Sequence, residues 1–132
     1  IGYLLRNVIY ALTSRSFLEY AIANGGKAME VIEYIKQTMK EEGVTQMELG
    51  RRTGLTRQSV FDVLTRANPN FNTVRRMFNA LDRDIDIRKK DGSELDIDKN
   101  SLYAVFEREA PGFGKLKAVL EAMGYEFQYV RK

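Results

Sequence analysis

Thr56, Arg57, Gln58, Phe61, Asp62 and Thr65 fall on the outer side of a short predicted helix whose apolar positions are Val60, Val63 and Leu64. The forked guanidinium of arginine and the amide of glutamine match the hydrogen-bonding edges of guanine and adenine in a DNA major groove. Arg57 and Gln58 are therefore the first candidates for base contact, with Thr56, Phe61 and Thr65 beside them. Gln46, Arg51, Arg52, Ser59 and Asn72 are candidates for holding the phosphates on either side, which would set the register without reading sequence. Side chains of these types do nothing in concert unless a rigid element presents them together.

That element is the stretch Gln46 to Thr65, which reads as two short helices meeting at a corner. Leu49 and Thr53 on the first, Leu55 in the turn and Val60, Val63 and Leu64 on the second form a shared apolar seam. Gly50 is small where the helices would cross, and Gly54 stands where the chain must leave the first helix by a left-handed backbone step. Thr56 is placed to cap the second helix through its hydroxyl. Thr45, with Glu48 three residues on, predicts a capping box for the first. An ordinary helical hairpin with a solvated face would share part of this pattern, so the flanking chain has to be weighed with it.

Composition narrows the chemistry. The sequence has 132 residues, enough for one compact domain or two small ones sharing a core, and contains neither cysteine nor histidine. Disulfides, Cys/His zinc sites, imidazole catalysis and thiol nucleophiles are thereby excluded. No phosphate loop, nucleophile elbow or metal signature occurs, and the acidic groups Glu41-Glu42 and Asp84-Asp86-Asp96-Asp98 read as a helix end and strand surfaces. A non-enzymatic protein without metal or cofactor is expected. No apolar run is long enough to span a bilayer and no secretory leader is recognisable, so a cytoplasmic protein without membrane contact is expected; with Ile1 in place of methionine, some N-terminal residues are expected to be missing.

The net charge of +3 is small but unevenly spread. From Thr45 to Arg83 there are seven arginines (51, 52, 57, 66, 75, 76 and 83) against the three acidic residues Glu48, Asp62 and Asp82. Residues 1–44 balance at five against five and residues 84–132 at nine against ten. The positive field thus belongs to the corner, as phosphate binding requires.

Around the corner, Leu5, Val8, Ile9 and Leu12 predict one N-terminal helix, Phe17, Tyr20 and Ala21 a second, and Val31, Tyr34, Ile35, Thr38 and Met39 the inner face of a longer one from about Ala28 to Glu41. After Asn68 and Pro69 a helix is predicted to begin at Asn72 or Thr73, with Val74, Met77, Phe78 and Leu81 at helical spacing. The period then changes to two over Asp84 to Arg88, a strand with Ile85 and Ile87 on one face. A shift of 42 positions lays Ser59 on Ser101, Val63 on Val105, Arg66 on Arg108, Pro69 on Pro111, Phe71 on Phe113 and Ala80 on Ala122 without a gap. The same shift lays Ile85 and Ile87 on Phe127 and Tyr129, which identifies a degenerate duplication of a helix, proline turn, helix and strand.

The predicted architecture is mainly α with a small β-sheet: a lambda-repressor-like helix-turn-helix bundle followed by the duplicated helix-helix-strand unit, with strands 84–89 and 126–131 pairing antiparallel. Leu95 and Ile97 are expected to add a third strand after the Asp91-Gly92 turn. Three parts follow: N-terminal helices over 1–43, the corner with its trailing strand over 44–90, and over 91–132 a degenerate repeat of 56–90 serving as scaffold, partner or dimer surface. The second copy's helix starts at Asp98, Lys99 and Asn100 near Asp96, and the carboxylates there would repel phosphate, so that copy is not a second reading head.

The run from Thr45 to Ile87 resembles the Xre-like antitoxins of the HigA type, also called addiction-module antidote proteins. Gln46, Leu49, Thr53, Gly54, Leu55, Arg57, Asn68, Pro69, Phe71, Thr73, Val74, Ala80 and Leu81 match that pattern as they stand, and the N-terminal Tyr3 to Gly26 is similar to its leader. Gly50 stands where alanine is usual, Asp82 where a terminal glycine is expected, and the tail from about Glu94 has no counterpart. The resemblance implies a sequence-specific repressor of its own operon, acting as a homodimer on double-stranded operator DNA and holding a HigB-like, mRNA-cleaving toxin. A stand-alone, phage-type repressor without a toxin, or a protein-interaction scaffold, remain the alternatives.

Overall fold

Val31, Ile32, Ile35 and Met39 recur at the spacing that puts side chains on one face of a helix, and all four are buried along α1 (Met29–Glu42). The computed structural model describes residues 29–65, 69–95 and 97–132; the expectations for residues 1–28, Arg66, Asn68 and Asp96 lie outside them. Gly43, at φ 67°, ends α1, and the Val44 N–H returns to the Met39 carbonyl at 2.9 Å.

The chain continues through α2 (Gln46–Thr53), α3 (Arg57–Thr65), α4 (Phe71–Ala80), β1 (Arg83–Lys89), α5 (Lys99–Glu109), α6 (Phe113–Ala122) and β2 (Tyr125–Arg131). It is the expected α-rich bundle with one small sheet. β1 and β2 pair antiparallel, from Arg83 opposite Arg131 to Lys89 opposite Tyr125. Ile85 and Ile87 point from β1 into the core, where they meet α4 and the second unit.

Two expectations need correction. Leu95 and Ile97 do not form a third strand: among the described residues the sheet has two strands, and residues 93–95 are irregular. The Ser93 N–H and hydroxyl fold back onto the Asp91 carboxylate, and α5 opens soon after Ile97, which leaves no length to run beside β1; Ile97 is buried in the core. Nor does α4 wait for Asn72 or Thr73. It starts at Phe71, because the Asn70 side chain accepts the Asn72 N–H at 2.8 Å and so supplies the cap.

The core is aromatic at its centre. Phe71 meets Phe106 edge-on at 5.2 Å and stacks with Phe113 at 6.2 Å and Phe127 at 6.0 Å. Tyr34 of α1 stacks on Phe78 and lies 4.9 Å from Tyr129, so the long helix, α4 and the sheet close over one another. Arg83, buried beneath this layer, donates to Glu42 at 3.0 Å and to the Leu81 carbonyl at 3.1 Å; the carboxylate raises its pKa further, and the end of α1 is tied to the start of β1.

The step from α4 into β1 needs a left-handed residue, and Asp82 takes it at φ 56°. The equivalent step from α6 into β2 is made by Gly124 at φ 88°. A β-carbon in that region costs roughly 1–2 kcal/mol, less for aspartate than for most residues, while glycine gives back part of the gain in the unfolded chain. Asp82→Gly is therefore expected to raise the unfolding free energy by about 0.5 to 1 kcal/mol, read as a higher urea midpoint at unchanged slope.

Candidate nucleic-acid interface

Leu49 and Val60, both without exposed surface, form the seam between α2 and α3. Gly50 lets the two helices come close there: a β-carbon on it would lie 3.2 Å from the Leu55 carbonyl, tight enough to ask a small shift of the turn, and 3.6 Å from Val60. Gly54 ends α2 at φ 75° with its N–H on the Gly50 carbonyl at 2.9 Å. Leu55 is half-buried, and the Thr53 hydroxyl reaches both the Leu49 carbonyl and the Leu55 N–H, so the corner is held from inside. Thr56 accepts the Ser59 N–H at 3.1 Å and donates to the Ser59 hydroxyl at 2.9 Å. The start of α3 is thereby capped, with its direction set by α2.

From this frame α3 turns one side outward. Arg57, Phe61 and Thr65, each four residues from the next, are exposed, and Phe61 keeps 49% of its surface. Gln58, also exposed, donates its amide to Asp62 at 3.0 Å, which holds that side chain along the helix. The Thr65 hydroxyl donates back to the Phe61 carbonyl at 2.8 Å. The five residues expected to meet bases thus sit together on the exposed side and first turn of one helix.

The residues expected to meet phosphate divide. Gln46 opens α2 and is exposed, and Ser59 belongs to the cap of α3. Arg51 and Arg52 are exposed but share one anion, for Arg51 donates to both Glu48 oxygens and Arg52 to one of them at 3.0 Å. The expected capping box is accordingly half made: Thr45 accepts the Glu48 N–H at 3.1 Å, but the carboxylate serves the two arginines instead of returning to the cap. Asn72 is half-buried and donates to the Glu107 carbonyl at 3.2 Å, which turns it toward the second unit.

The arginine-rich window is also less uniform in space than in sequence. Arg83 is buried, and Arg75 is spent between Asp84 at 3.4 Å, Glu107 at 3.5 Å and the face of Tyr103 at 4.1 Å. Burial, with Asp84 nearby, lifts the Tyr103 phenol to about 12, so it stays a donor, to the Ile85 carbonyl at 2.6 Å. Arg76 is the member the sequence pattern did not single out. It is exposed, and its guanidinium lies 3.3 Å from where a β-carbon on Gly54 would stand, beside the corner itself. Its place in α4, away from the side carrying Val74, Met77 and Phe78, is the signal that separates it from Arg75. Together with Asn72, Arg75, Asn79 and Glu107 it lines an open groove of about 430 Å³.

Among the described residues no three His, Cys, Asp or Glu side chains are grouped to hold a metal, and no helix is long and apolar enough to cross a membrane. What the fold defines is a small α-rich protein with an outward-facing, arginine-bearing helix corner. The chain belongs to the family of probable addiction module antidote proteins, whose model matches residues 12–89. Membership makes it an antitoxin, one half of a toxin–antitoxin system. No curated protein and no solved structure matches the chain.

The Glu48 cluster carries a pH signature. Arg51 and then Arg52 hold the Glu48 carboxyl down from 4.5 to about 2. A carboxyl whose pKa is depressed by folding stabilises fully above its unfolded value, and that contribution drains away as the pH falls through the folded one. The melting temperature of Glu48→Gln is expected to lie below that of the wild-type chain at neutral pH, and the gap to close between pH 4.5 and about 2.

Proposed function

We propose that this antitoxin is a sequence-specific DNA-binding repressor that reads its operator with α3 and also holds its cognate toxin. The observation that carries the first part is the exposed stripe of Arg57, Phe61 and Thr65, with Gln58 beside it, on a helix whose N-terminus is capped by Thr56 and whose inner side is locked against α2. A half-exposed phenylalanine between an arginine and a threonine is poorly suited to water and well suited to a groove carrying both hydrogen-bonding edges and methyl groups.

Arg57 and Gln58 would contact base edges, Gln58 by leaving Asp62, with Thr56, Phe61 and Thr65 around them. Gln46, Arg51, Arg52 and Ser59 would hold phosphates on the two flanks, and Arg76, beside Gly54, is added to that set. Asn72 is the candidate the geometry favours least, since its amide is already engaged by the second unit. Binding upstream of its own gene would make the protein an autorepressor. The toxin, by the resemblance to HigA-type antitoxins, would be a HigB-like enzyme that cleaves mRNA.

The test is a salt titration of binding to the gene's own upstream DNA and to a scrambled duplex, for the wild-type chain and for Arg57→Ala combined with Gln58→Ala. Log affinity is expected to fall against log salt by roughly 0.9 per phosphate neutralised. The double variant should keep most of that slope but lose its preference for the native site, at about 1 to 3 kcal/mol per base contact removed. Equal, weak binding of both duplexes by the wild-type chain would reject DNA reading and favour an interaction scaffold.

A further inference from the structure

The 42-residue shift visible in the sequence is also a spatial operation. Under it, the pair Arg83–Arg131 at one end of the sheet becomes Tyr125–Lys89 at the other, so the whole ladder maps onto itself about the central pair Asp86–Gln128. Two unrelated strands have no reason to pair in that register. The proline turns obey the same rule. Phe71 N–H donates to the Pro111 carbonyl at 2.9 Å and Phe113 N–H donates to the Pro69 carbonyl at 2.7 Å, around the bridge between Asn70 and Gly112. Phe71 and Phe113, equivalent residues, stack with 11° between their planes, and Asp82 and Gly124, again equivalent, make the same left-handed step.

Reciprocal contacts of this kind are what an isologous interface between two identical chains contains: residue i meets j, and j meets i. The match to the antidote family ends at residue 89, the last residue of β1. A chain stopping there would expose Phe71, Val74, Ile85 and Ile87, together with the hydrogen-bonding edge of β1, to water. Here all four are fully buried and the edge is paired.

We propose that the second unit is a covalent stand-in for a second copy of the first, filling from within the surface of α4 and β1 through which two chains would otherwise associate. One molecule then carries one reading corner to one non-palindromic DNA site, a last step that rests on the DNA-reading proposal above. The second copy supplies no head of its own. Lys99 and Tyr103, equivalent to Arg57 and Phe61, are engaged on β1, with the Asp86 carboxylate at 2.6 Å and the Ile85 carbonyl at 2.6 Å. A palindromic operator would instead require a homodimer with its two reading helices roughly 34 Å apart.

The experiment uses the full chain. Sedimentation across the micromolar range should give a monomer, and selection from a random duplex library should enrich a single non-palindromic motif bound by one chain. Because the sequence has no cysteine, Asp86→Cys with Gln128→Cys reports the central pair directly. Oxidation should yield a cross-link within one chain, running as a monomer on a non-reducing gel. A stable dimer, cross-links between chains, or an inverted-repeat motif holding two chains would each overturn the proposal. A monomer with an internal cross-link but no enriched motif would leave the stand-in intact and reject the DNA reading instead.

Discussion

The burial of α4 is the constraint on which the rest depends. Phe71, Val74, Met77 and Phe78 are all sealed from solvent, and no single neighbour seals them. The α2–α3 corner lies against α4 on one side, where Arg52 reaches the Ala80 carbonyl at 3.3 Å and Arg76 reaches over Gly54. β1 and the second unit close the other, through the rings of Phe106, Phe113 and Phe127. Because interiors pack at near-crystalline density, a shift of α4 would be felt on both sides. The outward helix is therefore as rigid as the scaffold behind it.

Much of this was legible in the sequence because local chemistry and global packing agree. Gly54 at the corner, Thr56 at the cap, the helical spacing of Val74, Met77, Phe78 and Leu81 and the alternation of Ile85 and Ile87 each point to one conformation and are found in it. The duplication was legible for a related reason. A two-fold contact asks both copies for similar residues at similar places, so the proline turn and the paired strands keep their spacing even where identity has drifted.

What was not legible turned on choices between partners that spacing does not decide. Glu48 stands at the right position for a capping box, yet two arginines outbid the backbone for its carboxylate. Asn70 caps α4 because its side chain, and not that of Asn72 or Thr73, accepts the Asn72 N–H. Arg75 and Arg76 are adjacent and alike in sequence, but one helical step separates a residue consumed by Asp84, Glu107 and Tyr103 from one left beside the corner. Leu95 and Ile97 alternate as a strand would, and only the nearness of α5 denies them an edge to join.

The sharing of Glu48 by Arg51 and Arg52 gives the candidate interface an internal counterion. A bare arginine meeting a phosphate frees a nucleic-acid counterion into solution, and the salt dependence records it. An arginine already neutralised must exchange one fixed anion for another, with the carboxylate released to find its own cation from the buffer. Some of the ions gained and lost then cancel. The salt slope of such a surface would under-report how many guanidiniums touch the backbone: with one negative charge shared between Arg51 and Arg52, one of the two would go uncounted in it.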